Sequence, residues 1–210
     1  GPNIKWIPRV MIPVAKKAIR RLLSLSQNAR ALAHWCEKYP DKFYRHELCP
    51  TVDEKAKLTV VQVCHALGYN LFDHKSCVLK IKRTSLDGGK SFLNHNDYNY
   101  SLSNLWEIIS SNFSRDFPWY DKEKSIKFSN ALCLLNTDQF SLSRMTSIFT
   151  FYKPTKSFFF SDIQRKKSYE MNYKNIFSRY GYYDDEGKPL LIRSHQPRHL
   201  LNTIAHYGEM

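Results

Sequence analysis

The chain has 210 residues, of which 42% are hydrophobic and 14% are aromatic. This length and composition suit one domain of full size or two small ones, and they exclude a disordered or collagen-like chain. Lys and Arg number 32 against 19 Asp and Glu, and residues 1–50 hold ten of the basic and three of the acidic ones. A basic surplus concentrated at one end favours a polyanionic partner, most often nucleic acid, over a merely soluble basic protein.

The ends of the chain and its cysteines bear on the cellular compartment. Gly1 and Pro2 are typical of the residues left by a cleaved purification tag, and the residues after them have no secretory-signal pattern. The sequence contains no run of 18 apolar residues, the length needed to span a membrane, so we expect no membrane partner. None of the five cysteines sits in a CxxC pair. We therefore expect free thiols in a reducing cytoplasm.

The first elements combine an apolar pattern with clustered positive charge. Residues 4–12 are β-prone and interrupted by Pro8, which predicts a short or edge strand. A helical apolar stripe comes next, on one helix or on two joined near residues 24–27. Its members are Ala15, Ala18, Leu22, Leu25, Ala29, Leu32 and Cys36. Basic side chains lie off the stripe and would face solvent or DNA, namely Lys16, Lys17, Arg20, Arg21 and Arg30. The first four are the candidate DNA contacts.

The middle of the chain alternates helical and irregular patterns. Residues 58–68 predict a helix with Thr59 as N-cap and a glycine end, of the type that opens a helix-turn-helix. Residues 78–83 alternate like a strand, so no recognition helix is predicted and a packed helix is the simpler interpretation. An amphipathic helix is predicted over residues 101–113. Its inward side chains would be Leu102, Leu105, Trp106, Ile109 and Phe113.

Aromatic residues dominate residues 115–160. The run of Phe and Tyr with interspersed Lys could stack on bases, although such residues more often form core. Residues 130–135 are consistent with a buried strand or a helix turn. Beyond Asp162 the helical period returns, with Lys166 and Lys167 as further candidate DNA contacts. Residues 189–193 predict a short strand before a last helix. The fold class expected is mainly α, that is, α+β with a few short strands.

The last helix, starting near Ser194, carries the most chemical information. At about 100° per residue, His195, Arg198, His199, Asn202 and His206 share one arc of it. The guanidinium of an Arg can donate hydrogen bonds to two phosphate oxygens at once, and the N-terminus of a helix favours binding of an anion. A histidine can pass a proton to or from an oxygen. The arrangement would suit phosphoryl transfer, and a capped surface helix that happens to hold His and Arg fits the spacing equally well.

A different class of function is a metal-binding module. His46 and Cys49 form one pair with zinc-like spacing, and His74 and Cys77 form a second, which together could make a closed structural zinc site. Buried thiols with surface histidines are the simpler interpretation, and we predict no metal site.

The run HQPRHLLNTIA, at residues 195–205, resembles the box II motif of tyrosine recombinases and phage-type integrases, H-x-x-R-H followed by an apolar helix. Its continuation resembles a subgroup of long integrases carried by bacterial mobile elements. Residues 4–8 and 117–132 are similar to other stretches of that subgroup. Together the similar patches cover about a third of the chain.

The resemblance implies that Arg198 contacts the scissile phosphate, that His195 assists proton transfer and that His199 braces the helix. Pro197 departs from the bulky apolar residue usual before this Arg. The resemblance also implies three further catalytic residues of the family. The first Arg and the Lys of a β-hairpin would precede Gly1, and the nucleophilic Tyr would lie beyond Met210, since Tyr207 is too close to the box II motif. The chain would then be an inactive fragment of a recombinase catalytic domain.

The implied reaction is strand cleavage and rejoining through a phosphotyrosyl bond, with no cofactor. The implied partners are double-stranded DNA and further copies of the recombinase at a synapse, in the bacterial cytoplasm at the nucleoid. In this interpretation residues 3–40 hold a strand and basic helix of the catalytic domain, 41–160 an insertion, and 161–210 its C-terminal part. The alternative is a non-catalytic DNA-binding or interaction domain, with a structural zinc as a further option.

Overall fold

The computed structural model describes residues 7–84, 99–141, 143–163, 175–188, 190–193 and 195–207. Eight α-helices are described: α1 (Ile12–Leu25), α2 (Gln27–Lys38), α3 (Val60–Ala66), α4 (His74–Arg83), α5 (Leu102–Ser111), α6 (Lys156–Ile163), α7 (Ile176–Arg179) and α8 (Gln196–Tyr207). Four short strands are described: β1 (Trp119–Asp121), β2 (Ile126–Lys127), β3 (Leu135–Thr137) and β4 (Ser147–Tyr152). The expectation of a mainly helical protein with a few short strands is confirmed.

The chain divides into two compact units. One comprises Gly1–Arg21 and Pro154–Met210, and the other comprises Leu22–Lys153. This division is not the one expected from the sequence, where the insertion spans residues 41–160, and the assignment of an insertion stays a prediction. No described helix is long and apolar enough to cross a membrane.

The second unit holds the main core. Phe43 is fully buried, and its ring meets those of Trp106 in α5 and Phe149 in β4 at centroid distances of 5.9 and 5.4 Å. The predicted inward face of α5 is confirmed for Leu102, Leu105, Trp106 and Ile109, which are all buried. Phe113, the fifth predicted member, lies two residues past the end of α5 and is partly buried against the same core. Trp106 also donates from Nε1 to the carbonyl oxygen of Pro40 at 2.6 Å, so the polar edge of its buried ring is paired.

A smaller cluster lies between α2 and the residues just before β3. Ala29 and Ala33 of α2 are fully buried there against Phe128, Ala131 and Leu134. Phe151, one of the aromatic residues considered for base stacking, packs against both clusters and is partly buried. The small side chains of α2 allow close approach, which explains why the predicted stripe is buried from Ala29 onward.

The two sheets of the second unit are antiparallel pairs. Strand β1 pairs with β2, with Trp119 opposite Lys127, and β3 pairs with β4, with Leu135 opposite Tyr152. Residues 130–135, for which strand and helix turn were both open, lead into β3 and contribute Leu135 to it.

The N-terminal segment and the apolar stripe correct two expectations. Residues 9–11 form a 3₁₀ turn that leads into α1, and residues 7–8 are not in a strand. The strand predicted for residues 4–12 is therefore wrong over residues 7–12, and residues 4–6 lie outside the described residues. The stripe does lie on two helices, joined at the fully buried Ser26. Its part in α1 is not buried, and Leu25 is 41% exposed.

Helix α3 forms as its sequence predicts. Thr59 Oγ1 accepts from the backbone N of Gln62, whose side chain accepts from the backbone N of Thr59, so the two residues form a capping box. Gly68, just past the end, has φ +86°, a conformation that glycine adopts without strain.

Two predicted strands are wrong. Residues 78–83 belong to α4, which begins where Asp73 Oδ1 accepts from the backbone N of Ser76. Burial of Cys77 and Ile81, four residues apart, selects the helix over the strand that the local alternation suggests. Residues 190–193 form no strand either. The helix predicted beyond Asp162 lies mostly outside the described residues, although α7 ends near Gly181 as expected.

Candidate nucleic-acid interface

Helix α8 presents the residues of the H-x-x-R-H motif. It begins at Gln196, so His195 directly precedes it and Arg198 lies in its first turn, as the sequence predicts. His195 and His199 are exposed, and their rings stand nearly perpendicular at a centroid distance of 5.8 Å. The backbone N of His199 donates to the carbonyl oxygen of His195 at 3.0 Å. The helix therefore places both imidazoles in solvent, one turn apart.

The first residue of α8, Gln196, forms two hydrogen bonds with the segment that precedes the helix. The side-chain oxygen of Gln196 accepts from the backbone N of Arg193, and the backbone N of Gln196 donates to the carbonyl oxygen of Arg193. The side chains of Arg198 and His206 lie outside the described part of the structure. Leu200 of the same helix is 61% exposed.

The segment before α8 is anchored to α7. Asn175 is buried, its Oδ1 accepts from the backbone N of Ser178, and its Nδ2 donates to the carbonyl oxygen of Leu190 at 3.0 Å. A single side chain thus caps α7 and holds the chain that leads to the histidines.

A second link joins α6 to α7. The guanidinium of Arg179 forms a bidentate ion pair with the carboxylate of Asp162, with N–O distances of 2.7 and 2.6 Å. The backbone N of Ile192 also donates to the carbonyl oxygen of Ile163. The paired geometry restricts both side chains, so α6, α7 and the approach to α8 form one connected support.

The acidic turn between α7 and α8 is held by its own backbone and side chains. Asp184 Oδ1 accepts from the backbone N of Glu186 and of Lys188, and the backbone N of Asp184 donates to the carbonyl oxygen of Lys188 at 2.8 Å. The backbone N of Leu190 donates to the carbonyl oxygen of Tyr182. These bonds close a tight antiparallel turn between residues 182 and 190.

The cations predicted on the first helix are exposed. Lys16, Lys17, Arg20 and Arg21 all lie in α1, within an arc of about 140°. Within the ranges that the structure describes, none of the four forms an ion pair. Lys166 and Lys167 lie outside the described residues. The described part of the chain thus presents one predicted basic surface, on α1.

Three of the four residues considered as zinc ligands, His46, Cys49 and Cys77, have other hydrogen-bond partners, and His74 is exposed. His46 Nε2 lies 3.0 Å from the carbonyl oxygen of Ala66, and His65 Nε2 lies 2.8 Å from that of Leu71. Cys77 donates to the same Leu71 oxygen. All five cysteines are unpaired thiols. Among the described residues, no three His, Cys, Asp or Glu side chains come together as metal ligands.

Burial makes the thiols poor nucleophiles. It raises the pKa of both Cys36 and Cys64 to about 12, and the neighbouring Cys77 adds to the shift of Cys64. The thiolate is the reactive form, so neither group is suited to nucleophilic chemistry near neutral pH.

A basic surface that sequence reasoning missed lies on α4. The helix contains Lys75, Lys80, Lys82 and Arg83 and no acidic residue. The alternating pattern VLKIKR in this helix predicts a strand, so the sequence analysis did not identify the basic helix. The signal that identifies it is Asp73, three residues before Ser76, an N-cap spacing ahead of a basic segment.

Comparison of the chain with protein-family models, with curated proteins and with solved structures finds no match.

Proposed function

We propose that this chain is part of the catalytic domain of a site-specific DNA recombinase, in which strands are cleaved and rejoined through a phosphotyrosyl link. One observation carries the proposal: α8 starts so that an exposed His195 precedes it and Arg198 lies in its first turn. This is where the H-x-x-R-H resemblance requires the two residues. The attacking tyrosine is assigned to a segment outside these 210 residues.

The proposed chemistry depends on these residue types. Arg198 provides a planar guanidinium that can bind two oxygens of the scissile phosphate. Its position in the first turn adds the partial positive charge of the helix N-terminus. His195 moves a proton as the tyrosine oxygen attacks phosphorus. The phosphotyrosyl link retains the energy of the phosphodiester bond, so the reaction needs no energy cofactor.

The basic arc of α1 supports duplex DNA as the partner. Its four cations are exposed and therefore available to backbone phosphates. The net charge of +13 acts in the same direction, because it raises the local concentration of a polyanion. Self-association at a synapse belongs to the proposal through the resemblance alone.

The test is covalent capture of a cleaved strand by the protein that includes the attacking tyrosine. A nicked duplex site traps the covalent product, which a denaturing gel separates from free protein. We expect Arg198→Ala to abolish the adduct while duplex binding persists, and His195→Gln to slow its formation. Thr203→Ala is the matched control, because Thr203 is exposed on the same helix and lies outside the arc that His195 and Arg198 share. An undiminished adduct in Arg198→Ala would refute the assignment.

A second candidate is a non-catalytic DNA-binding domain, which the exposed and unpaired cations described on α1 favour. In that case duplex affinity falls steeply with salt, no covalent adduct forms, and His195→Gln changes nothing measurable.

A further inference from the structure

We infer that the outer face of α4 is a second DNA-binding surface, whose cations contact the phosphates of a duplex. This inference rests on the part of the proposed function that makes duplex DNA the partner. It does not depend on the strand-cleavage chemistry.

Helix α4 has two sharply different faces. Cys77 and Ile81 are fully buried and Thr84, its C-cap, is 8% exposed, and these three share one side. Thr84 Oγ1 donates to the carbonyl oxygen of Lys80 at 2.9 Å, and Cys77 interacts with Cys64 of α3. The buried side therefore fixes the helix in the second unit, and the opposite side is presented in one orientation.

The opposite side is basic and solvent-exposed. Lys75, Leu79, Lys82 and Arg83 fall within an arc of about 100°. All four are exposed, and Leu79 retains 53% of its accessible surface. In the portion of the chain that the structure describes, Lys75, Lys82 and Arg83 form no ion pair. The face therefore has three cations available to an external anion.

Two further charged residues at α4, Lys80 and Asp73, already have partners in the described structure. Lys80 Nζ lies 4.5 Å from the centre of the Tyr69 ring, a cation–π contact on the flank of the helix. Asp73, at the N-terminus, accepts hydrogen bonds from the side chain and from the backbone N of Ser76, and these lower the pKa of its carboxyl group. No acidic side chain lies within the helix to neutralise the exposed cations.

The dimensions of the face fit a nucleic-acid backbone. Lys75 and Arg83 are eight residues apart, which is about 12 Å along a helix at 1.5 Å per residue. One strand of duplex DNA carries a charge every 3.4 Å or so along its axis, so this length faces about three phosphates. Helices of this size enter the major groove, where Leu79 could contact a thymine methyl group.

An acidic membrane surface fits this face less well. A helix that lies in a bilayer interface needs a continuous apolar face for the lipid side. The exposed arc of α4 offers one apolar residue, Leu79, among three cations. The apolar residues Cys77 and Ile81 are already buried inside the protein.

The experiment measures binding of the 210-residue chain to a fluorescein-labelled duplex of about 30 base pairs by anisotropy across a salt series. The variant is Lys75→Gln/Lys82→Gln/Arg83→Gln. The matched control is Lys55→Gln/Lys122→Gln/Arg144→Gln, which removes the same charge at exposed sites of the same unit. Circular dichroism compares the helix content and unfolding midpoint of both variants with those of the unmodified chain.

We expect the α4 variant to lose affinity by roughly tenfold to a hundredfold at 0.1 M salt, with a log–log salt slope shallower by about 2.7, or about 0.9 for each of three lost phosphate contacts. The control variant should lose much less. Equal losses in both variants would show that only net charge matters and would overturn the inference. Unchanged affinity in the α4 variant would overturn it too, with duplex binding by the rest of the chain intact.

Two further outcomes separate this inference from the proposed function. If the unmodified chain binds no duplex, DNA as partner fails, and the α4 surface fails with it. If α4 substitutions weaken binding to phosphatidylserine–phosphatidylcholine vesicles and leave duplex binding unchanged, the α4 partner is a lipid surface and the inference is wrong. Covalent strand capture, measured separately, tests the recombinase assignment whatever α4 does.

Discussion

The carboxylate of Glu37 in α2 holds Ser129, 92 positions further along the chain, by two hydrogen bonds. The backbone N of Ser129 donates to Oε1 at 3.1 Å, and its Oγ donates to Oε2 at 2.7 Å. Arg30, two turns earlier in α2, donates from Nε to the carbonyl oxygen of Ser129 at 2.8 Å. The segment before β3 is therefore fixed to α2 through both polar groups of one backbone residue.

Replacing Glu37 by Ala should destabilise the second unit by about 1–3 kcal/mol, because the backbone N of Ser129 is then left partly buried without its acceptor. Glu37→Gln should cost less, since an amide oxygen can still accept one of the two bonds. Urea denaturation followed by circular dichroism measures both changes. Glu107→Ala, at an exposed position of α5, is the control. A Glu37→Ala effect no larger than the control would disprove the contribution of this contact.

Ser26 should be sensitive to loss of its hydroxyl. It is fully buried at the joint between α1 and α2, where Oγ donates to the carbonyl oxygen of Leu132 and accepts from the backbone N of Leu134 at 3.0 Å. Ser26→Ala removes both bonds and leaves the buried backbone N of Leu134 without its acceptor, at a cost of about 1–3 kcal/mol. Ser24→Ala, exposed one half-turn earlier, should change the free energy of unfolding by less than about 0.5 kcal/mol.

Gly68 should not tolerate a side chain. Its φ is +86°, and a Cβ built on it would lie 2.6 Å from Cδ1 of Ile148 in β4. Gly68→Ala therefore combines backbone strain of about 1–2 kcal/mol with a steric clash. Ile148→Val removes Cδ1, so Gly68→Ala should cost less in the Ile148→Val background than in the unmodified chain. Equal costs in the two backgrounds, measured by a double-mutant cycle, would show that the clash is absent.

Acid should destabilise the second unit partly through His46. Burial lowers the pKa of its imidazole in the folded state, and this outweighs the opposing effects of the bond to Ala66 and of nearby Glu47. The unfolded chain then binds the proton more readily. The stabilising contribution is complete above the ordinary histidine pKa of about 6.5 and is lost progressively as the pH falls below it.

The measurement is the free energy of unfolding at pH 7.5 and pH 5 for the unmodified chain, His46→Gln and His34→Gln. Gln can still donate to the carbonyl oxygen of Ala66 but does not titrate in this range. His46→Gln should reduce the loss of stability between the two pH values. His34→Gln, at an exposed position, should leave that loss unchanged. An identical pH dependence in all three proteins would refute the assignment to His46.

Local sequence patterns correctly predicted several of the helices. The cap at Thr59 and the glycine after it identify α3, and the apolar spacing identifies α5 with its buried face. The H-x-x-R-H motif lies at the start of α8 as predicted. These features depend on hydrogen bonds and side-chain contacts between residues a few positions apart, so the sequence contains them directly.

Helix α4 was not predictable in the same way. In VLKIKR the apolar residues alternate with polar ones, which satisfies a strand period locally. The segment becomes a helix because Cys77 and Ile81 are buried in the core that also contains Cys64 and Val63 of α3. Its basic surface is a consequence of that packing, since burial of one side directs Lys75, Lys82 and Arg83 to the other.

The fold class, the helix limits set by local caps, the positive charge and the order of His195 and Arg198 are predictable from the sequence alone. Tertiary packing determines which part of the apolar stripe is buried, since Leu25 is 41% exposed and Leu32 is fully buried. It also decided that Glu37 and Arg30 hold Ser129. Burial and long-range hydrogen bonds depend on which segments pack together. Local sequence patterns extend over a few residues only, so they do not predict contacts between residues about a hundred positions apart.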